Sequence, residues 1–261
     1  GPDVMEEQHS ATPVARVRDA TGRLLFTEEM KREFLLLSPQ MLPIHFGMLQ
    51  SAFVSEGYRF EVLQTKHRAI VDEGLRHVHN DTCYPALLVI GQLIDAVKSG
   101  LYDPDRIALI ITQTGGGCRA SNYIHLLRKA LEKAGFSHIP IVSLNLSGME
   151  KNPGFHLSFR LLRKLINALL YGDLLMLLAN QVRPYETEAG STDRLVERWL
   201  EKASERYREG RATPARILKA DFARIVADFA AVPVSGEKKL RVGVRSEERR
   251  VGEECRYRWW P

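Results

Sequence analysis

Two cysteines stand where their surroundings could do chemistry. Cys83 lies in HNDTCYP (79–85), two residues before Pro85. Cys118 lies in TQTGGGCRASNY (112–123), directly after Gly115, Gly116 and Gly117. A proline in a first turn and a glycine run ahead of an amphipathic segment both mark helix starts. Each thiol is therefore expected at a helix N-terminus, where unpaired N–H groups and the macrodipole favour the thiolate, the form that binds metal. Three successive glycines let the backbone fold tightly and aim several N–H groups at one point, which suits the bridging sulfides of an iron–sulfur cluster. Other readings stay open on spacing alone. Two small buried thiols, or a zinc site built from His77, His79 and Cys83, fit the same residues. There is no C-x-x-C of the usual zinc or ferredoxin kind. The glycine loop lacks both the Lys-Ser/Thr of a P-loop and the G-x-G-x-x-G spacing of a dinucleotide site.

Further polar residues gather around these loops. Asn80 and Asp81 are placed to hydrogen-bond the Cys83 loop, and Arg119 to meet an anionic group or the charge of a cluster. Asn122 either lines the same pocket or, with Ser121, caps the following helix. His45 follows a turn at Pro43, where a satisfied buried histidine is favoured over a proton donor. SLNLSG (143–148) ends a strand, so Asn145, Ser147 and Gly148 are expected at the same edge. No Ser-His-Asp or Cys-His arrangement is readable, and no nucleophile is assigned.

The elements that must position these residues alternate. EFLLLS (33–38), YRFEVL (58–63), DRIALIITQT (105–114) and IPIVSLNL (139–146) read as strands. Residues 43–57, 67–79, 84–100 and the segment from about Arg119 to Gly135 read as the helices between them. That order predicts an α/β fold with a doubly wound parallel sheet, of Rossmann or flavodoxin-like type, whose binding loops follow the C-terminal strand ends. The α/β domain is placed at 26–150, after a linker or domain remnant at 1–25. A helical segment follows at 151–235, with Ser191 or Thr192 as one N-cap. The apolar run 165–182 has Asp173 in its middle; a spanning helix needs about 20 predominantly apolar residues, so a buried helix or helix pair is predicted instead. Residues 236–244 read as the first strand of a truncated second α/β unit.

The composition of the 261-residue chain, 44% hydrophobic and 26% charged with a net charge of +5, is that of a globular protein. The charges are interspersed, which argues against a nucleic-acid footprint. Three cysteines cannot form a fully paired disulfide framework, so reduced thiols and a cytoplasmic location are expected, with no membrane association. The C-terminus is anomalous. Arg245–Pro261 resembles the peptide obtained by translating a common sequencing adapter, and we expect it to be artefactual, which removes Cys255, Trp259 and Trp260 from functional argument.

FTEEMK, PQMLPIHF, NDTCYPALLVIGQ, TQTGGGCRASNYI, IPIVSLNLSGMEKNPGF, YGDLL and RPYE occur in this order. Together, over roughly residues 26–244, they resemble the activase-related region of the 2-hydroxyglutaryl-CoA dehydratase activator family. The resemblance implies an iron–sulfur cluster of 4Fe-4S or related type, with Cys83 and Cys118 as an incomplete ligand set. It implies ATPase activator domains of the actin/Hsp70-like fold as partners, in cis or in trans, and an acyl-CoA as a further one. The function implied is electron acceptance in an ATP-dependent, low-potential reductase or dehydratase system, with this fragment inactive by itself. A non-catalytic scaffold that docks the ATPase domains, and a cluster-free acyl-CoA-binding domain, are the alternatives.

Overall fold

The computed structural model describes residues 14–79, 82–113, 122–145, 150–210 and 213–237. Four short strands, β1 (Leu35–Ser38), β2 (Arg59–Val62), β3 (Ile107–Thr112) and β4 (Ile141–Leu144), form one parallel sheet in the order β2-β1-β3-β4. Parallel neighbours need crossover connections. These are α2 (Pro43–Val54) between β1 and β2, α3 (Ala69–His77) with α4 (Tyr84–Lys98) between β2 and β3, and α5 (Tyr123–Ala134) between β3 and β4.

The two-residue period of the strands divides the core into two layers. Leu36, Ala108, Ile110 and Val142 share one cluster with Phe46, Met48 and Phe53 of α2. Leu37, Leu109, Ile111 and Ile141 share the other with Leu87, Ile90 and Ile94 of α4 and Ile124 and Leu127 of α5. Helices thus cover both faces, and the predicted doubly wound α/β fold is the one observed. On the α4 side, α3 crosses at backbone contact: a Cβ on Gly91 would lie 1.9 Å from the Ile70 carbonyl oxygen, and one on Gly74 would lie 2.4 Å from that of Leu87.

The helical segment forms the outer layer over α2. It comprises α6 (Phe159–Val182), α7 (Ser191–Arg208) and α8 (Ala215–Ala230). Leu161, Leu165, Ala168, Tyr171, Leu175 and Ala179 turn one face of α6 into the α2-side core, joined there by Trp199 and Tyr207 of α7 and Phe229 of α8. The apolar run at 165–182 is therefore not a fully buried helix or a helix pair. It belongs to one continuous helix whose opposite face exposes Ile166, Leu169, Leu170 and Leu177.

One local expectation is also corrected. The N-cap of α7 is Gly190, at φ 81°, rather than Ser191 or Thr192. The Glu186 carboxylate, reaching in from the preceding loop, accepts from the Gly190 and Thr192 N–H groups and from the Ser191 hydroxyl. A carboxylate four residues before the N-cap does the work of a capping side chain at an electropositive helix start. A short helix, α1 (Glu28–Glu33), precedes β1 and is capped by Thr27, whose side chain accepts from Met30 N–H. Residues 14–25, part of the stretch expected as a linker or domain remnant, lie against the α/β domain. Arg16 bonds the His138 carbonyl oxygen and Asp105, and Arg23 pairs with Glu150. Residues 238–261, which include the expected strand Leu240–Val244 and the adapter-like tail, lie outside the described residues.

Candidate functional site

The order β2-β1-β3-β4 reverses winding direction between β1 and β3. The chain leaves β1 toward one face through α2 and leaves β3 toward the other through α5. In an open α/β sheet, ligands usually sit at the C-terminal strand ends, where such a reversal makes the loops part. The loops here are 39–42, leading to Pro43, and the stretch after Thr112 that carries the glycines.

Cys83 is the N-cap of α4, in extended conformation, with Pro85 in the first turn as expected. Its Sγ lies 3.0 Å from the Tyr123 hydroxyl, within hydrogen-bonding distance. Tyr123 is the first residue of α5 and is buried. Through this contact the first cysteine meets the exit of the loop that carries the second. Cys118 itself lies outside the described residues, as do Asn80, Asp81, Gly115, Gly116, Gly117, Arg119, Ser121, Ser147 and Gly148.

The entry to the glycine loop is fixed by a directed polar chain. Asn145 Nδ2 donates to Ser143 Oγ at 2.7 Å, and Ser143 Oγ donates to Gln113 Oε1 at 2.7 Å. The Gln113 N–H also continues the β3–β4 ladder to the Leu144 carbonyl oxygen. Asn145 thus sits at the expected edge, bonded to the last residues of its own strand and, through them, to the residue two before Gly115. Asn122 is the N-cap of α5, but its side chain makes no capping bond. The described helix begins at Tyr123, and the expected start near Arg119 lies outside the described residues.

A second anchor comes from Gln92, buried on α4. Its Oε1 accepts from Gln40 N–H, and its Nε2 donates to the Leu63 and Thr65 carbonyl oxygens. One side chain thereby ties the loops after β1 and β2 to the helix that Cys83 starts. Between them opens a cleft of about 600 Å³ whose lining includes Lys66, His67, Arg68 and Tyr84. Its basic wall stands next to Cys83 through Tyr84 and favours an anionic visitor.

His45 belongs elsewhere. It is buried on α2 with Nε2 2.9 Å from Asp173 Oδ1, and its ring lies flat enough against Gly172 of α6 that a Cβ there would come within 2.3 Å. It serves the α2–α6 contact and not the α4–α5 side where Cys83 sits.

Tyr123, Gln113, Ser143 and Gln92 are the site residues that sequence reading passed over. Tyr123 starts a helix, Gln113 and Ser143 lie at strand ends, and Gln92 sits in the middle of α4; all are of common type. Only the position of Tyr123 and Gln113 on either side of the glycine loop could have pointed to them. Among the described residues no group of three or more His, Cys, Asp and Glu is arranged to hold a metal ion, and His77 is bonded to the Glu73 backbone and side chain on its own helix. No helix among the described residues is long and apolar enough to cross a membrane. Comparison with family models, curated proteins and solved structures finds no match for the chain.

Proposed function

We propose that the chain is a cluster-bearing, electron-accepting domain of an ATP-dependent low-potential system, as its resemblance to the activase-related region implies. The observation that carries the proposal is the contact between Cys83 and Tyr123. It sets a half-buried thiol, at a helix start, against the residue that closes the Cys118 loop. What supports a cluster among the described residues is a sulfur at a helix start with a hydroxyl in position to bond it. Cys83 and Cys118 would hold the cluster, with its remaining ligands supplied from outside these two loops.

When bound, such a cluster would take up one electron at low potential. The chain's own residues orient and shield. Tyr123 holds the Cys83 thiol in one rotamer. The Asn145–Ser143–Gln113 chain fixes the root of the glycine loop. Gln92 keeps both neighbouring loops closed on α4. The basic cleft beside Tyr84 offers a landing place for an anionic partner group, which fits the acyl-CoA or the ATPase domains named by the resemblance.

The test is anaerobic reconstitution of the full chain with iron and sulfide, read by iron and sulfide analysis and by electron paramagnetic resonance after reduction. The expected result is bound iron and sulfide that Cys83→Ser and Cys118→Ser each reduce to the level of a variant lacking both thiols. Equal iron in all of these proteins would sink the cluster reading in favour of a scaffold. CoA binding with no iron would point to the acyl-CoA-binding alternative.

A further inference from the structure

The exposed face of α6 carries a pattern that the core does not use. Phe159, Arg163, Ile166, Leu170, Asp173 and Leu177 follow one another at alternating steps of four and three. That is heptad spacing, and on an ideal helix it confines the six residues to about 80° of arc over about 27 Å. All six are solvent-exposed, Phe159 at 76% and Leu177 at 56%. The buried residues of the same helix lie on the other side, so no other part of the described structure covers the stripe.

The stripe reads as its own complement when reversed. About a dyad at position 168, Phe159 falls opposite Leu177, Ile166 opposite Leu170, and Arg163 opposite Asp173. Apolar meets apolar, and the two charges in the seam meet with opposite sign, twice. A parallel pairing in register would set arginine on arginine and aspartate on aspartate. Like charges facing across a seam oppose association, and complementary ones select partner and direction. Asp173 is bonded to His45 through Oδ1 alone, and its side chain remains 71% exposed.

We infer that α6 is an isologous interface: two copies of this chain associate through antiparallel α6 helices, with Arg163 of each paired to the other copy's Asp173. A C2 contact needs one patch that matches itself, and this stripe does. One helix pair falls short of the ~1,200 Å² that a standard stable interface buries, so the dimer is weak and concentration-dependent.

Sedimentation velocity of the 261-residue chain across about 1 to 500 μM tests this. The wild type is expected to pass from monomer to dimer. Arg163→Asp alone and Asp173→Arg alone each place like charges across both seam pairs and should weaken association at least about tenfold. Mixed in equal amounts, the two variants become complementary again and should form a heterodimer within about threefold of wild-type affinity. Circular dichroism checks that both variants fold. Should Asp173→Arg disturb the His45 contact, hydrogen exchange of the wild type replaces it, with protection of α6 amides expected to rise with concentration. A wild type that stays monomeric throughout overturns the inference, as does a mixture that associates no better than either variant alone. So does an α6 whose exchange does not depend on concentration.

Discussion

Cys83 Sγ and Tyr123 Oη lie 3.0 Å apart, joining the start of α4 to the start of α5 across the C-terminal edge of the sheet. Tyr123→Phe removes one hydrogen bond and no ring packing. A neutral hydrogen bond contributes about 1 kcal/mol net, so the denaturation midpoint should fall only slightly. In the reconstituted protein, iron should stay bound, while the reduction potential moves to a more negative value. Hydrogen bonds to sulfur stabilise the reduced, more negative cluster. Potentiometric titration of the two proteins measures this, and an unchanged potential would separate the tyrosine from the sulfur.

Lys164 is wholly buried on α6, with its Nζ 2.7 Å from both Glu56 Oε1 and Ser55 Oγ. Removing one partner of a buried pair leaves the other charge without compensation and costs about 3–5 kcal/mol. The exposed Arg160 also reaches Glu56, so Lys164→Met should fall at the lower end, about 3 kcal/mol. Lys164→Met with Glu56→Leu should return to within about 2 kcal/mol of wild type, because no buried charge remains. Guanidinium denaturation of the single and double variants checks both figures.

Gly172→Ala should destabilise, although alanine is the better helix former by about 1 kcal/mol. The added Cβ would come 2.3 Å from the ring of His45, which is buried on α2 and bonded to Asp173. Overpacking of this kind costs about 1–3 kcal/mol and outweighs the propensity gain. Adding His45→Ala removes the obstruction. The double variant is expected to lose less than the sum of the two single losses, and thermal denaturation over the four-protein cycle reads the coupling.

Acid should weaken the fold. Burial by itself would raise the carboxyls of Glu56, Glu73 and Asp221. Hydrogen bonds from Lys164 to Glu56, from Lys98 to Glu73, and from Arg206 and Tyr171 to Asp221 overrule it, and all three lie below their ordinary values. The unfolded chain then binds more protons than the folded one as the pH drops. The stabilisation is complete above the ordinary values of 4.5 for glutamate and 3.8 for aspartate and is lost as the pH falls through the lower folded-state values. Denaturant midpoints measured from pH 7 to pH 3 should be level at first and then drop. Asp221→Asn should flatten the low-pH part of the curve. In wild type, the hydroxyl of Tyr171, pushed up by burial and by its bond to Asp221, stays protonated throughout this range.

Much of the fold was legible because local physics repeats along the chain. Leu36 and Leu37, or Ile110 and Ile111, are continuous apolar runs, and a strand covered on both faces needs apolar residues at every position. Pro43 and Pro85 mark helix starts that the structure places at Pro43 and Tyr84. With strands and helices alternating, a parallel doubly wound sheet and a crevice at its C-terminal edge follow, and Cys83 falls at that edge.

Other features are decided by residues far apart in sequence, which no local pattern encodes. His45 follows the same turn that places the loop after β1 at the crevice, yet its ring turns to Gly172 on α6, where the missing side chain leaves room for it. Tyr123 is an ordinary helix-start aromatic until the packing of α4 against α5 brings it to the Cys83 sulfur. The alternation of strands and helices already specified a parallel sheet covered by helices on both faces. Only the tertiary structure decided which side of α6 is buried, and so which of its leucines and which charges remain on the surface. Burial is settled by what packs against a helix, and α6 is apolar on both sides.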